Sequence, residues 1–334
     1  MTRDAAALVR EFQDTFAAVR GEVARRIVGH AEAIDLLLIA FFAGGHVLIE
    51  GVPGIGKTLL VRSLAEALGL RFGRVQFTVD LMPADIVGTR VIEETAGGRR
   101  TFVFQPGPIF TQVLLADEVN RATPKTQSAL LEAMAERQVT VAATTYELPE
   151  PFFVLATLNP IEMEGTYALP EAQLDRFLFK VLLGYPSEDE LVRIVGMMTG
   201  VEDAPIRPVL DPTEAPARVV ALRHLVREVL VEPEVERWVA RLVRLTVPGV
   251  GGLELVDRQV AYGASPRGGQ ALLLGAKVLA LLDGRPHATR DDVVRVALPA
   301  LRHRLVLSLA AEASGVEAAA VIEAVLAAVR GRRA

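Results

Sequence analysis

The stretch that decides the reading is Gly51-Val52-Pro53-Gly54-Ile55-Gly56-Lys57-Thr58. It fits G-x-x-x-x-G-K-[ST], a loop whose glycines let successive backbone N–H groups curl around a polyphosphate. Lys57 then reaches the β- and γ-phosphates, and the Thr58 hydroxyl serves Mg²⁺. The flanks agree with this. His46-Val47-Leu48-Ile49-Glu50 is an apolar run of strand length, and Leu59 to Leu68 has helical spacing, so the loop opens a helix whose N-terminus favours an anion. The competing reading is a plain glycine turn between a strand and a helix.

A second stretch weighs against that turn. Val113-Leu114-Leu115-Ala116-Asp117-Glu118 is an apolar strand ending in two adjacent acids. Taken alone it is a solvated strand end. Downstream of a phosphate loop it has the Walker B form, in which Asp117 binds the Mg²⁺ shell and Glu118 polarises the attacking water. A third apolar run, Phe152 to Thr157, delivers Asn159 just beyond its carboxyl end, where ligands sit in open parallel sheets. The alternative for Asn159 is a turn residue before Pro160.

The whole chain bounds the answer. Its 334 residues suffice for two domains. With 51% hydrophobic and 5% aromatic residues, the core is built from Leu, Val, Ile and Ala. A formal charge of −5 gives no general attraction to nucleic acid, so none is expected as a partner. There is no cysteine, which excludes disulfides and thiolate metal sites and is compatible with a cytoplasmic location. The first residues carry no secretion-signal pattern, and the most membrane-like run, Leu36 to Ala43, is far shorter than a span. The five histidines show no ligand spacing.

Residues 5 to 25 and Ala31 to Phe42 have helical spacing and are separated by Ile27-Val28-Gly29-His30, an interhelical turn or an adenine contact. Arg74 to Val79 is a candidate strand. Two hairpins are expected, one from residues 90–93 and 100–104 and one within 138–145. Thr123-Pro124 caps a helix running to about Glu136. Leu178 to Leu183 is the last strand of the first half, and Arg176 just before it either reaches a neighbouring subunit's nucleotide or pairs locally with Asp175. Gly184-Tyr185-Pro186 marks a boundary between domains 1–185 and 186–334. The second half reads as helices only, about 187–198, 214–230, 232–246, 266–282, 289–299 and 316–330. In it, Arg267 lies in the first turn of a helix, where a cation is unfavourable unless an anion is near; a solvated arginine is the bland account.

Taken together, these parts resemble an AAA+ ATPase, and more narrowly the MoxR family. The likeness is carried by Gly51 to Thr58, Val75-Gln76-Phe77-Thr78, Asp117-Glu118-Val119-Asn120-Arg121-Ala122, Asn159-Pro160-Ile161-Glu162, Glu164-Gly165-Thr166-Tyr167, Leu169 to Phe177 and Ser265-Pro266-Arg267. The resemblance implies an α/β fold, an αβα sandwich on a five-stranded parallel sheet in the order 5-1-4-3-2, followed by a small all-helical lid. It implies ATP and Mg²⁺, with nucleotide contacts from Val28 and Gly29 and from Gly51, Pro53, Gly54, Ile55, Gly56, Lys57, Thr58 and Leu59. Thr58 and Asp117 would hold the metal, and Glu118 and Lys57 would act in hydrolysis. Asn159 matches sensor 1, Arg176 the arginine finger and Arg267 sensor 2, whether on its own subunit's nucleotide or a neighbour's.

Family members form rings, usually hexamers, and remodel partner proteins, so a homo-oligomeric ring, a von Willebrand factor A domain protein and a client are the expected partners. Alternatives are a nucleotide-switched binding module with little turnover, a chelatase-like metal-insertion motor and a nucleic-acid motor. Two departures stand out: Val28-Gly29-His30 where the family has Val-Gly-Gln, and Glu162-Met163-Glu164-Gly165 where it has Glu-Gln-Glu-Gly.

Overall fold

The computed structural model describes residues 3–94, 100–159, 166–200 and 205–331. Its centre is a parallel sheet of β1 (Val47–Gly51), β2 (Phe72–Gln76), β3 (Val113–Asp117), β4 (Phe153–Leu158) and β5 (Phe179–Leu183). Across the sheet the order is 5-1-4-3-2 in these labels, as the resemblance implies. The central strands β1, β3 and β4 are buried on both faces because both faces are covered, whereas the edge strand β2 exposes Arg74 and Gln76. Successive side chains alternate between the two faces. Val47, Ile49, Val113, Leu115, Phe153, Leu155 and Phe179 enter one core, shared with the helices Arg3–Arg26, Ala31–Ala43 and Lys57–Ala67 and with the C-terminal helices. Leu48, Leu114, Ala116, Val154 and Ala156 enter a second core on the other face, against the helix Pro124–Glu136.

Both expected hairpins are present. Gly88–Glu94 pairs antiparallel with Arg100–Pro106, and Gln138–Val141 with Thr144–Glu147. They are joined to each other: the rings of Phe104 and Tyr146 stack at 3.9 Å, and Arg90 donates to the Thr144 hydroxyl at 2.6 Å. The hairpin tip 95–99 and the segment 160–165, which carries the Glu-Met-Glu-Gly departure, lie outside the described residues.

The C-terminal part is a helical lid with one correction. Leu230–Val231 pairs with His287–Ala288, and Val260–Tyr262 with Val306–Leu307, where only helices were expected. Pairings of two or three residues are too short for period-two alternation to register in sequence. The lid helix Pro266–Leu282 packs directly on the sheet: a Cβ on Gly275 would come 2.9 Å from the Phe179 ring, so only glycine admits this approach.

His46, just before β1, is buried between strand and helix. Its Nδ1 accepts from the Val154 N–H at 3.0 Å, so Nε2 carries the proton and donates to the Met134 carbonyl at 3.2 Å. Burial, aided by Arg223 and Arg137, pushes its pKa down from 6.5 to about 4. The neutral form is therefore favoured in the fold, and its stabilisation is complete above pH 6.5 and lost as pH falls from 6.5 toward 4. Urea unfolding at pH 7 and pH 5 is expected to show His46→Gln losing about 2 kcal/mol less than the parent over that interval. An equal loss in both proteins would refute this assignment.

Candidate active site

Three chain segments meet at the carboxyl ends of β1, β3 and β4. The first is the phosphate loop, which leaves β1 at Gly51 and turns through Gly54 and Gly56, with φ of 82° and 87°, into the helix beginning at Lys57. Those angles belong to the left-handed region that side chains with a Cβ rarely adopt, and they aim the loop's N–H groups inward. Lys57 is buried, and its ammonium donates to the Gly51 carbonyl at 2.6 Å. Burial lowers its pKa, while Asp117, Glu118 and Glu50 oppose that shift, so the lysine faces the acids at the end of β3.

Asp117 ends β3 and is held from two sides. Thr157 of β4 donates its hydroxyl to one carboxylate oxygen at 2.6 Å, and Arg74 of β2 donates to the other at 2.7 Å. Glu118 follows in the left-handed region, with φ 55° and ψ 50°. A residue with a Cβ is strained there by about 1–2 kcal/mol. Its N–H is anchored on the Thr157 hydroxyl at 2.8 Å. Its carboxylate accepts from Gln76 at 2.8 Å and from Arg121 at 2.9 Å. Arg74 also donates to the Gln76 side chain at 2.6 Å, so a polar chain runs from Asp117 through Arg74 and Gln76 to Glu118. Sequence reasoning gave no role to Arg74, Gln76 or Thr157, although Gln76 stood among the family-like residues.

Asn159 is buried one residue beyond β4. Glu50 aligns with Leu158 across the β1–β4 ladder, so Asn159 comes level with Gly51, the first residue of the loop. Lys57, Asp117, Glu118 and Asn159 thus share one end of the sheet. Thr58 belongs to the same end as the second residue of the loop helix. An alcohol and a carboxylate together with phosphate oxygens form the hard oxygen set that Mg²⁺ prefers, so the residues present fit that ion.

Beside the loop, Gly29 has a φ of 74°, and a Cβ there would come 2.8 Å from the Glu190 carboxylate, which belongs to the capping box of the helix Glu188–Thr199. Val28 is buried. His30 lines a cavity of about 250 Å³ with Leu36, Lys180 and Leu182. Lys180 in turn pairs with Glu50 of β1 at 2.7 Å. The turn therefore flanks the strand that feeds the phosphate loop. Pro53 is exposed and Ile55 and Leu59 are half-buried.

Arg176 and Arg267 lie elsewhere. Leu178 donates its N–H to the His46 carbonyl at 2.7 Å, which puts Arg176 at the amino ends of β1 and β5. Both arginines line one cavity of about 220 Å³ with Gly45, His46, Met134 and Asp175. A five-residue strand is roughly 16 Å long, so this cavity and the phosphate loop are separated by the length of the sheet. Arg176 donates to the Leu131 carbonyl, and Asp175 is engaged by Ser265 at 2.7 Å and Arg304 at 2.9 Å rather than by Arg176. The local Asp175 pairing considered for Arg176 is thus replaced by other partners. Arg267 is exposed and makes no ion pair among the described residues.

This fold and site define a P-loop ATPase of the AAA class. Residues 46–179 match the ATPase family associated with various cellular activities (AAA), and residues 253–325 match the AAA lid domain. Chaperone MoxR1 of Mycobacterium tuberculosis is 44% identical over 307 residues, covering 91% of this chain and 79% of that one. Protein MoxR of Methylorubrum extorquens is 34% identical over 317 residues, covering 90% of each. A crystal structure from Cytophaga hutchinsonii superposes with a TM-score of 0.88 at 37% identity over 97% of each chain. The chain belongs to the MoxR family of AAA+ ATPases. No helix among the described residues is long and apolar enough to cross a membrane.

Proposed function

We propose that this protein hydrolyses MgATP at the contact between two copies of itself within a ring, and uses the turnover to remodel a partner protein. One observation carries the reading: the phosphate loop, Asp117, Glu118 and Asn159 occupy one end of the sheet, and Arg176 and Arg267 the other. Each chain then offers half of two sites, and the halves meet only when copies stack. In this scheme the loop N–H groups and Lys57 hold the phosphates, and Glu118 and Asn159 orient water. Arg176 and Arg267 both act in trans, neutralising charge on the neighbour's transferring phosphoryl group. Thr58 and Asp117 would hold Mg²⁺, which supplies charge neutralisation between the phosphates. Val28 and Gly29 border the adenine.

The name Chaperone MoxR1 for the Mycobacterium tuberculosis relative supports the remodelling role. The finer parts of the proposal are a hexamer, a cytoplasmic location, a von Willebrand factor A domain partner and the division into domains 1–185 and 186–334. A second reading, a nucleotide-gated binding module with slow turnover, is favoured by the hold of Gln76 and Arg121 on Glu118.

The test is ATPase rate per subunit against protein concentration. A shared site predicts a steep rise with concentration to a plateau, because a lone chain lacks the trans arginines. A rate independent of concentration from nanomolar upward, with the protein monomeric throughout, would sink it.

A further inference from the structure

Arg304 is buried and belongs to the lid, yet four of its six hydrogen bonds go to the segment that carries Arg176, the other two staying with Ala300 and His303. It follows the helix Arg290–Leu301 and lies 129 residues from Asp175 in sequence. Its Nε donates to the Asp175 carboxylate at 2.9 Å, and its terminal nitrogens to the carbonyls of Asp175 at 3.0 Å, Phe177 at 2.7 Å and Leu178 at 3.1 Å. These carbonyls bracket Arg176 on both sides. The nitrogen that reaches Leu178 also donates to the Ala300 carbonyl of the preceding helix. Burial pushes the Arg304 guanidinium down to about 10, with Asp175 opposing the shift.

The remaining oxygen of Asp175 accepts from the Ser265 hydroxyl at 2.7 Å. Ser265 caps the helix that presents Arg267, accepting the Arg267 N–H at 3.1 Å. One carboxylate therefore joins the loop of Arg176, the cap below Arg267 and the lid residue Arg304. The other side chains around the cavity, Met134, Gln270 and Leu274 among them, offer no charge to replace it.

We infer that Arg304 and Asp175 form a positioning clamp that ties Arg176 and Arg267 into one unit, so that the lid carries both arginines to the neighbouring copy's nucleotide together. The inference rests on the trans-acting role proposed above. In this arrangement a tilt of the lid changes the presentation of both cations at once, and turnover at one site is coupled to the lid of the subunit beside it. The guanidinium fork is required, because an ammonium on a flexible stem cannot span a carboxylate and three carbonyls.

The experiment uses Arg304→Lys, which keeps the charge, and Asp175→Asn, each checked by thermal melting and by binding of a fluorescent non-hydrolysable ATP analogue. Ser265→Ala, which leaves the buried ion pair in place, serves where either fails to fold, and should give a smaller loss of the same kind. A displacement near 1 Å lowers kcat by about 10²-fold, and KM should stay within about threefold.

The decisive readout is subunit mixing. Glu118→Gln copies have intact arginines, so mixed with Arg304→Lys they should restore turnover at least about tenfold above either variant alone, whereas Arg176→Ala copies should not. A wild-type kcat in Arg304→Lys, Asp175→Asn and Ser265→Ala overturns the clamp. So does a loss that Glu118→Gln fails to relieve while it relieves Arg176→Ala, since Arg304 would then be merely structural. If Glu118→Gln fails to relieve even Arg176→Ala, the trans reading falls and the clamp with it.

Discussion

Arg176→Ala should lower kcat of the assembled protein by about 10³-fold or more while leaving nucleotide affinity within a few-fold of the parent, since a trans arginine contributes roughly 10³ to 10⁵ to phosphoryl transfer. The expectation follows from where the side chain is and from what it leaves unused. Arg176 is half-buried and donates to a helix carbonyl, and the carboxylate beside it is already engaged by Ser265 and Arg304. Removing the guanidinium therefore leaves no buried partner charge behind, and fold stability should change little. Steady-state turnover at saturating ATP, set beside equilibrium binding of a non-hydrolysable analogue, makes the comparison. A kcat within threefold of the parent would end the arginine-finger assignment, and a lost affinity with intact kcat would reassign Arg176 to uniform binding.

The parts of this site that could be read from sequence are those whose chemistry is local. The phosphate loop declares itself because its glycines, lysine and threonine are consecutive, and Asp117 and Glu118 because an apolar strand runs straight into them. Four of the five strands were legible through their apolar runs; the second, expected at 74–79, lies at 72–76 and has no such run. Arg74, Gln76 and Thr157 were not legible as site residues. Their importance comes from the pairing of β2 and β4 with β3, where Gln76 registers against Asp117 and Thr157 follows Ala156, the partner of Ala116. Two strands of the trio are about 40 residues from β3 in sequence, and no spacing rule links them. Arg304 is more distant still, and from sequence it is one arginine among several near the end of a lid helix. The direction in which Arg267 acts was also open. It depends on how the lid sits on β5, where Gly275 approaches the Phe179 ring, and no motif encodes that packing.

Glu118→Gln should abolish turnover while preserving nucleotide binding, with kcat down by about 10²- to 10⁴-fold, the usual contribution of a positioned general base. The substitution keeps the size of the side chain and one oxygen able to accept from Gln76 and Arg121, which now bond the carboxylate at 2.8 and 2.9 Å. The backbone anchor on Thr157 does not involve the side chain, so the strained left-handed turn should survive. Lys57 keeps Asp117 and Glu50 opposite it, so the phosphates lose little of their binding field. The variant consequently separates the two readings of the protein. A remodeller in which hydrolysis drives shape changes loses its effect on the partner protein along with turnover, while ATP still binds and the assembly persists. A nucleotide-gated binder keeps that effect with the glutamine in place, because ATP occupancy alone sets its state. The same result would explain the grip on Glu118 in chemical terms: Gln76 and Arg121 would then be the means by which hydrolysis is held slow. Their removal, as Gln76→Ala, would speed turnover rather than impair it.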